Sequence, residues 1–388
     1  MSDASKYDTT RATELRGMEA IRKRPGMWVG STDGRGLHQV VFEVVGRAVN
    51  EVLAGCAGSV DVTLTPDGGV RVADDGPGVP VEAAGDSEGP CLEALLTRLH
   101  AGVESGGRNV VAMGRAVTVE PSITNALSSR LTAEVRRDGA RWVQEYARGV
   151  ALMPPARVGT AARSGTVITF QPDPDIFGTI ECSFAVLAEH FRELAFLNRR
   201  LDISLTDVRA SGEPRSVRFR FPGGVRDFVA FLDAHVRTPL HPDVIAFDME
   251  DERMEGAAEV ALRWCTSREE RVRGFANSRP THGGGSHVVG FLDGVSGAVN
   301  EYARKRQLLT SADPHLSLER ISEGLTAVVS VKLHRPQYEG ATHGILGNTA
   351  VHTCVGEAVR QRLGAWLENH PEQAAAVLGR IIRGAGRD

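Results

Sequence analysis

Val70-Arg71-Val72-Ala73-Asp74-Asp75-Gly76-Pro77-Gly78 is the stretch on which the fold turns. It opens as a short β-branched strand and leaves through a glycine-rich loop, where the backbone can bend sharply and approach a ligand closely. Upstream, Val60, Val62 and Leu64 alternate onto one face of a partner strand, and Pro66-Asp67-Gly68-Gly69 supplies the turn between the two. Before that, residues 37–54 read as an amphipathic helix. Val40, Val41, Val44, Val45, Ala48, Val49, Val52 and Leu53 recur at helical spacing, and Gly55 and Gly58 end it.

Working outward, residues 91–100 predict a short helix and 103–121 a long loop. Strands follow at 131–136, 141–146 and 166–170, then a helix over 184–197. The pattern restarts at Phe221-Pro222-Gly223-Gly224 with a helix over 225–234, which sets a boundary between a domain of residues 1–220 and one of 221–388. The second part carries strands at 258–264 and 327–333. A crossover over 284–302 opens on Gly283-Gly284-Gly285, and helices over 350–368 and 371–384 break at Asn369-His370-Pro371. This mixture of segments is of the α+β class.

Composition excludes several classes. With 388 residues, 41% hydrophobic and 24% charged, the chain is long enough for two or three domains and ordinary for a globular protein. A net charge of −4 does not suggest a nucleic-acid or membrane binder. No apolar run is long enough to span a bilayer, and the first residues lack the apolar core of a secretory signal. Five scattered cysteines, none in a CxxC, indicate a reducing compartment, so the expected location is cytoplasmic. Only four of the 45 basic residues are lysines: Lys6, Lys23, Lys305 and Lys332.

Arg22-Lys23-Arg24-Pro25-Gly26-Met27-Trp28-Val29-Gly30, Gly36-Leu37-His38, Phe42-Glu43-Val44-Val45 and Asp74-x-Gly76-x-Gly78 closely resemble the ATPase end of gyrase B and its topoisomerase IV relative. The resemblance continues in order through Leu99-His100-Ala101-Gly102, Asn125-Ala126-Leu127, Ser164-Gly165-Thr166 and Glu323-Gly324-Leu325-Thr326-Ala327-Val328-Val329-Ser330. It implies an ATPase sandwich of the gyrase/chaperone/histidine-kinase type followed by an αβ transducer domain. The acidic domain that takes part in DNA cleavage in the family falls outside the blocks matched here, so no direct DNA cleavage is expected of these residues.

Carried over position by position, the resemblance makes Glu43 the general base that activates water, although a buried helix glutamate paired to a cation is the reading without it. The family's magnesium-ligating asparagine is Arg47 here, with Gly46 before it in place of an acid. A guanidinium has no lone pair for a metal, so no metal and no cofactor are expected. At i,i+4 from Glu43, Arg47 can pair with that carboxylate and lower its basicity, or point to solvent. Asp74 matches the aspartate that accepts from the adenine amino group, though an aspartate in a glycine turn is also common turn chemistry. Gly78 and Thr166 match its neighbours, Pro77 replaces a family arginine, and Arg137 matches an arginine contacted by aminocoumarin inhibitors.

The phosphate end departs from the family. Arg115, Thr118 and Glu120 stand where a lid loop has glycines. Glu104 replaces a lysine, and Val110 and Val111 replace a tyrosine and a lysine that contact nucleotide. Val117 and Val119 make that end more apolar. The family's Gln-Thr-Lys loop reads Ala341-Thr342-His343. One added like charge at 4–5 Å costs roughly 3–4 kcal/mol at an effective dielectric near 20, so loss of ATP hydrolysis is expected.

The expectation is a former nucleotide pocket that binds a small molecule through Glu43, Arg47, Asp74, Gly78, Val110, Val117, Arg137 and Thr166. A gyrase-directed natural product held as a self-resistance decoy is the leading candidate. The alternative is a metal-free cyclase or isomerase using Glu43, Arg47 and His343, and a second is a regulator that pairs with gyrase. The chain is expected to be a monomer or a nucleotide-independent homodimer. Tyr7 matches an arm residue that reaches the partner's site.

Overall fold

The computed structural model describes residues 17–82, 91–99, 119–234, 238–310, 312–340 and 344–383. Among these residues, nine strands form the first sheet: β1 (Val60–Leu64), β2 (Val70–Asp74), β3 (Ser128–Arg137), β4 (Ala140–Ala147), β5 (Val150–Ala151), β6 (Ala156–Thr160), β7 (Gly165–Pro172), β8 (Ile203–Asp207) and β9 (Arg215–Phe219). Their order is β5-β4-β3-β7-β2-β1-β8-β9, with β6 also pairing β4. Of these pairs only β1 and β8 run parallel; the others are antiparallel.

The alternation in these strands follows from a sheet covered on one face. Val60, Val62 and Leu64 of β1 are buried, as are Leu131, Ala133 and Val135 of β3. They meet α3 (Gly34–Leu53) and α6 (Phe184–Leu197) in one apolar core. The shorter helices α1 (Met18–Lys23), α2 (Pro25–Val29), α4 (Leu92–Thr97) and α5 (Pro121–Ala126) close the end of this layer. Asp33 caps α3 by accepting from the Arg35 N–H at 2.9 Å. Arg22 ties α1 to the sheet through the Ala126 carbonyl at 2.7 Å and the buried Asp173 carboxylate at 2.6 Å.

The second sheet holds β10 (Ile245–Asp251), β11 (Gly256–Trp264), β12 (Arg271–Ala276), β13 (Arg279–Pro280) and β14 (Leu325–Leu333), ordered β10-β11-β14-β12-β13. β14 is buried along almost its whole length because both faces are covered, which is why it reads as a continuous apolar run. α7 (Val225–Ala234) packs on one face against Ala261, Phe275 and Val328. The other face meets α8 (Ser286–Lys305) and α10 (Thr349–Asn369) through Val260, Leu262, Val329 and Val331, with α9 (Leu318–Ser322) and α11 (Pro371–Arg383) alongside. α8 and α10 touch at glycines: a Cβ on Gly290 would lie 2.3 Å from the His352 carbonyl oxygen, and one on Gly294 2.6 Å from that of Gly356.

Phe196 of α6 joins the two sheets. Its ring stacks on Phe221 at 3.8 Å and on Phe228 at 4.8 Å. The tight β12–β13 turn, with positive φ at Asn277 and Ser278, brings the Ser278 hydroxyl to accept from the Asn198 amide at 3.0 Å. Arg273 reaches Glu193 at 2.8 Å, and Arg199 reaches Glu259 at 3.0 Å.

The expected helices over 184–197 and 225–234 match α6 and α7. The structure adds α5 at the end of the segment expected as a loop, and strands that the pattern did not announce, among them β5, β6, β8, β9, β10, β12 and β13.

Candidate functional site

The site forms where α3, the end of β2, β7 and the residues before α5 converge. Asp74 is the last residue of β2, in register with Thr166 of β7. Both are buried. The Thr166 hydroxyl accepts from the Val79 N–H at 3.1 Å, which holds the glycine-rich loop against the sheet. Gly78 adopts φ 83°, and its carbonyl accepts from Arg137 at 2.9 Å. Gly165, at φ 146°, lies so close that a Cβ would sit 2.4 Å from the Asp74 carbonyl oxygen. Gly165→Ala is therefore expected to destabilise the protein by at least about 2 kcal/mol, from backbone strain and overpacking together. Urea unfolding measures this; a loss under about 0.5 kcal/mol, the ordinary scatter of surface changes, would disprove the close approach.

Glu43 lies on the inner face of α3 and is 2% exposed. One carboxylate oxygen accepts from the Glu120 N–H at 2.7 Å. Burial, reinforced by the neighbouring Glu120 carboxyl, pushes its pKa up to about 8 against the opposing effect of that hydrogen bond. Glu43 thus holds its proton well above the usual carboxylate range, and one of its two oxygens is engaged by backbone.

Arg47, one turn further along α3, does not pair with Glu43. Its guanidinium reaches across to Asp74, bonding the second carboxylate oxygen. The first oxygen already accepts from the Gly76 N–H at 3.0 Å. A second arm of Arg47 lies 3.6 Å from Glu51, at i,i+4. This corrects the expectation drawn from helix spacing. Glu43 is sealed on the buried face under Glu120, whereas Asp74 and Glu51 offer Arg47 two carboxylates on its other side. Nor is Glu43 made less basic by Arg47, since desolvation dominates and raises it.

Magnesium does not fit the described donor set. A guanidinium occupies the metal-ligand position, and one carboxylate oxygen of Glu43 is taken by a backbone N–H. Among the described residues no three His, Cys, Asp or Glu side chains cluster as a metal site, and no helix is long and apolar enough to cross a membrane. Val110, Val117 and His343 lie outside the described residues, as do Tyr7, Glu104, Val111, Arg115 and Thr118. The structure thus brings together Glu43, Arg47, Asp74, Gly78, Arg137 and Thr166 in one region. The neighbours Glu51 and Arg279, which act on Arg47 and Glu43, were not singled out from sequence. Glu51 carried a signal in its i,i+4 spacing from Arg47.

The family model for DNA gyrase B matches residues 224–387. The DNA gyrase B protein of Streptomyces coelicolor is 43% identical over 99% of this chain, which spans 58% of that relative's length. The novobiocin-resistant DNA gyrase B protein of Streptomyces niveus is 42% identical over 98% of the chain, again with 58% of the relative covered. Among solved structures, the 43K ATPase domain of Thermus thermophilus gyrase B, in complex with an aminocoumarin, superposes with a TM-score of 0.80 at 34% identity, covering 96% of this chain and 95% of that one. The chain belongs to the DNA gyrase B family, within which it corresponds to the ATPase and transducer region.

Proposed function

We propose that this chain has lost ATP hydrolysis and uses the former nucleotide pocket to hold a small molecule, a natural product of the gyrase-inhibitor type, as a self-protection decoy in the cytoplasm of a producing bacterium. Residues 1–220 form the pocket-bearing domain in this reading and 221–388 the transducer-like one. The observation that carries it is Arg47 bound to Asp74, which puts a fixed cation where hydrolysis needs a metal ligand. The similar gyrases of Streptomyces, one of them named novobiocin-resistant, support the setting. The test is direct. With ATP and magnesium, the purified chain is expected to release phosphate at the background rate, and its expression in a gyrase-inhibitor-sensitive host is expected to raise tolerance. Magnesium-dependent turnover that Glu43→Gln abolishes would overturn the loss of hydrolysis. Unchanged tolerance would overturn the decoy.

One observation favours an enzyme instead. A glutamic acid held protonated near neutral pH is poised as a general acid for a metal-free cyclisation or rearrangement. Turnover of a candidate biosynthetic intermediate, lost in Glu43→Gln, would select that reading over the decoy.

A further inference from the structure

The pocket floor carries a feature that bears on what it can hold. Both oxygens of Asp74 are engaged inside the chain, one by the Gly76 N–H and the other by the Arg47 guanidinium. Asp74 is 4% exposed and the Arg47 side chain 10%, so the pair is shielded from water. A charge-assisted bond of this kind is roughly twice as strong as one from a neutral amino group. A ligand amino group that sought Asp74 would have to displace a guanidinium already in place.

We propose that Arg47 is the specificity-determining residue of this pocket: its guanidinium takes the place on Asp74 that the amino group of a purine needs, so the pocket rejects purines and selects ligands that present a neutral acceptor oxygen, such as a lactone or amide carbonyl. The proposal rests on the reading of the pocket as a small-molecule site.

The donor inventory carries the second half. A guanidinium has five N–H donors and no acceptor. One nitrogen is bound to Asp74. The other terminal nitrogen stands 3.6 Å from Glu51, beyond ordinary hydrogen-bond length. The Arg47 Nε–H is buried with no acceptor among the described residues. The second terminal nitrogen therefore offers unspent donors where a purine-binding floor offers a carboxylate acceptor, and an acceptor on the ligand matches them. Charge argues for a neutral one. Arg47 already faces the carboxyls of both Asp74 and Glu51. A carboxylate on the ligand would add an uncompensated charge beside Asp74.

Two probes test this on the full chain, followed by ligand-observed NMR and calorimetry. Adenosine has the purine edge but no phosphate and needs no metal. Coumarin is a planar lactone with acceptor oxygens and no N–H or O–H donor. Wild-type protein is expected to bind coumarin but not adenosine. Arg47→Ala is expected to bind adenosine at least about tenfold more tightly than wild type and to lose about tenfold for coumarin, the scale of one hydrogen bond. The adenosine gain is expected to vanish in Arg47→Ala/Asp74→Ala. Should Arg47→Ala fail to fold by circular dichroism, Arg47→Gln, which keeps the bulk, carries the same comparison. Adenosine bound equally by wild type and the folded Arg47 variant, or by neither, overturns the proposal. So does coumarin that ignores the substitution or never binds wild type. These outcomes are separable from the hydrolysis assay. Adenosine binding by wild type removes the plug and leaves the loss of turnover standing, whereas magnesium-dependent ATP turnover removes that loss whatever adenosine does.

Discussion

Glu43→Gln is expected to flatten the dependence of stability on pH between about 4.5 and 8 and to raise the melting temperature at about pH 8.5, above the folded-state pKa of Glu43. In the folded chain the Glu43 carboxyl keeps its proton up to about pH 8 because it is buried beside Glu120. In the unfolded chain it gives that proton up near the ordinary value, about 4.5. Between these values the native state binds more protons than the unfolded state, so stability falls as pH rises. The contribution is fully present below the unfolded pKa and is lost as pH climbs through the folded one. A tenfold difference in proton affinity between the two states is worth about 1.4 kcal/mol, so the window amounts to a few kcal/mol. Glutamine is neutral at every pH and its amide oxygen can still accept from the Glu120 N–H. Chemical denaturation of both proteins at about pH 5, 6.5 and 8.5, which brackets this window, decides the matter. Parallel curves for the two would mean that Glu43 is ionised in the fold.

Asp74→Ala is expected to cost about 3 kcal/mol of folding stability, the low end for breaking a buried pair, because Glu51 keeps a partial hold on Arg47. Replacing both partners, Arg47→Leu with Asp74→Ala, is expected to recover most of that loss, since no uncompensated charge then remains in the interior. In a pocket whose aspartate merely faced solvent, the single change would be close to neutral. A loss below about 0.5 kcal/mol in urea unfolding, the range of ordinary surface changes, would show that the guanidinium is not seated on Asp74.

The site and the core elements were legible in the sequence to different depths. Glu43 could be placed on the inner face of a helix because the valines around it repeat at helical spacing. The partner of Arg47 could not be read the same way. Asp74 is 27 residues away on a strand, and which carboxylate wins is set by packing between α3 and β2, not by helix spacing. Three of the unannounced strands share a cause. β9 ends the first sheet, β10 ends the second, and β12 has only the two-residue β13 beyond it. Arg215 and Arg218 in β9, Asp248 and Glu250 in β10, and Arg271 and Arg273 in β12 are the charges with which edge strands resist further pairing. Those charges erase the apolar alternation that marks an interior strand. β14, covered on both faces, was plain for the opposite reason.

The glycine seam between α8 and α10 constrains how force can travel through this chain. At Gly290 and Gly294 the two backbones approach too closely to admit even a methyl group. Sliding one helix past the other by a turn, about 5.4 Å, would drive a side chain into that gap, so the pair has no low-energy gliding motion. It behaves as a doubled strut. A displacement imposed on one helix is therefore expected to carry the other with it. The contact between Phe196, Phe221 and Phe228 is of another kind, since rings rather than backbones meet there.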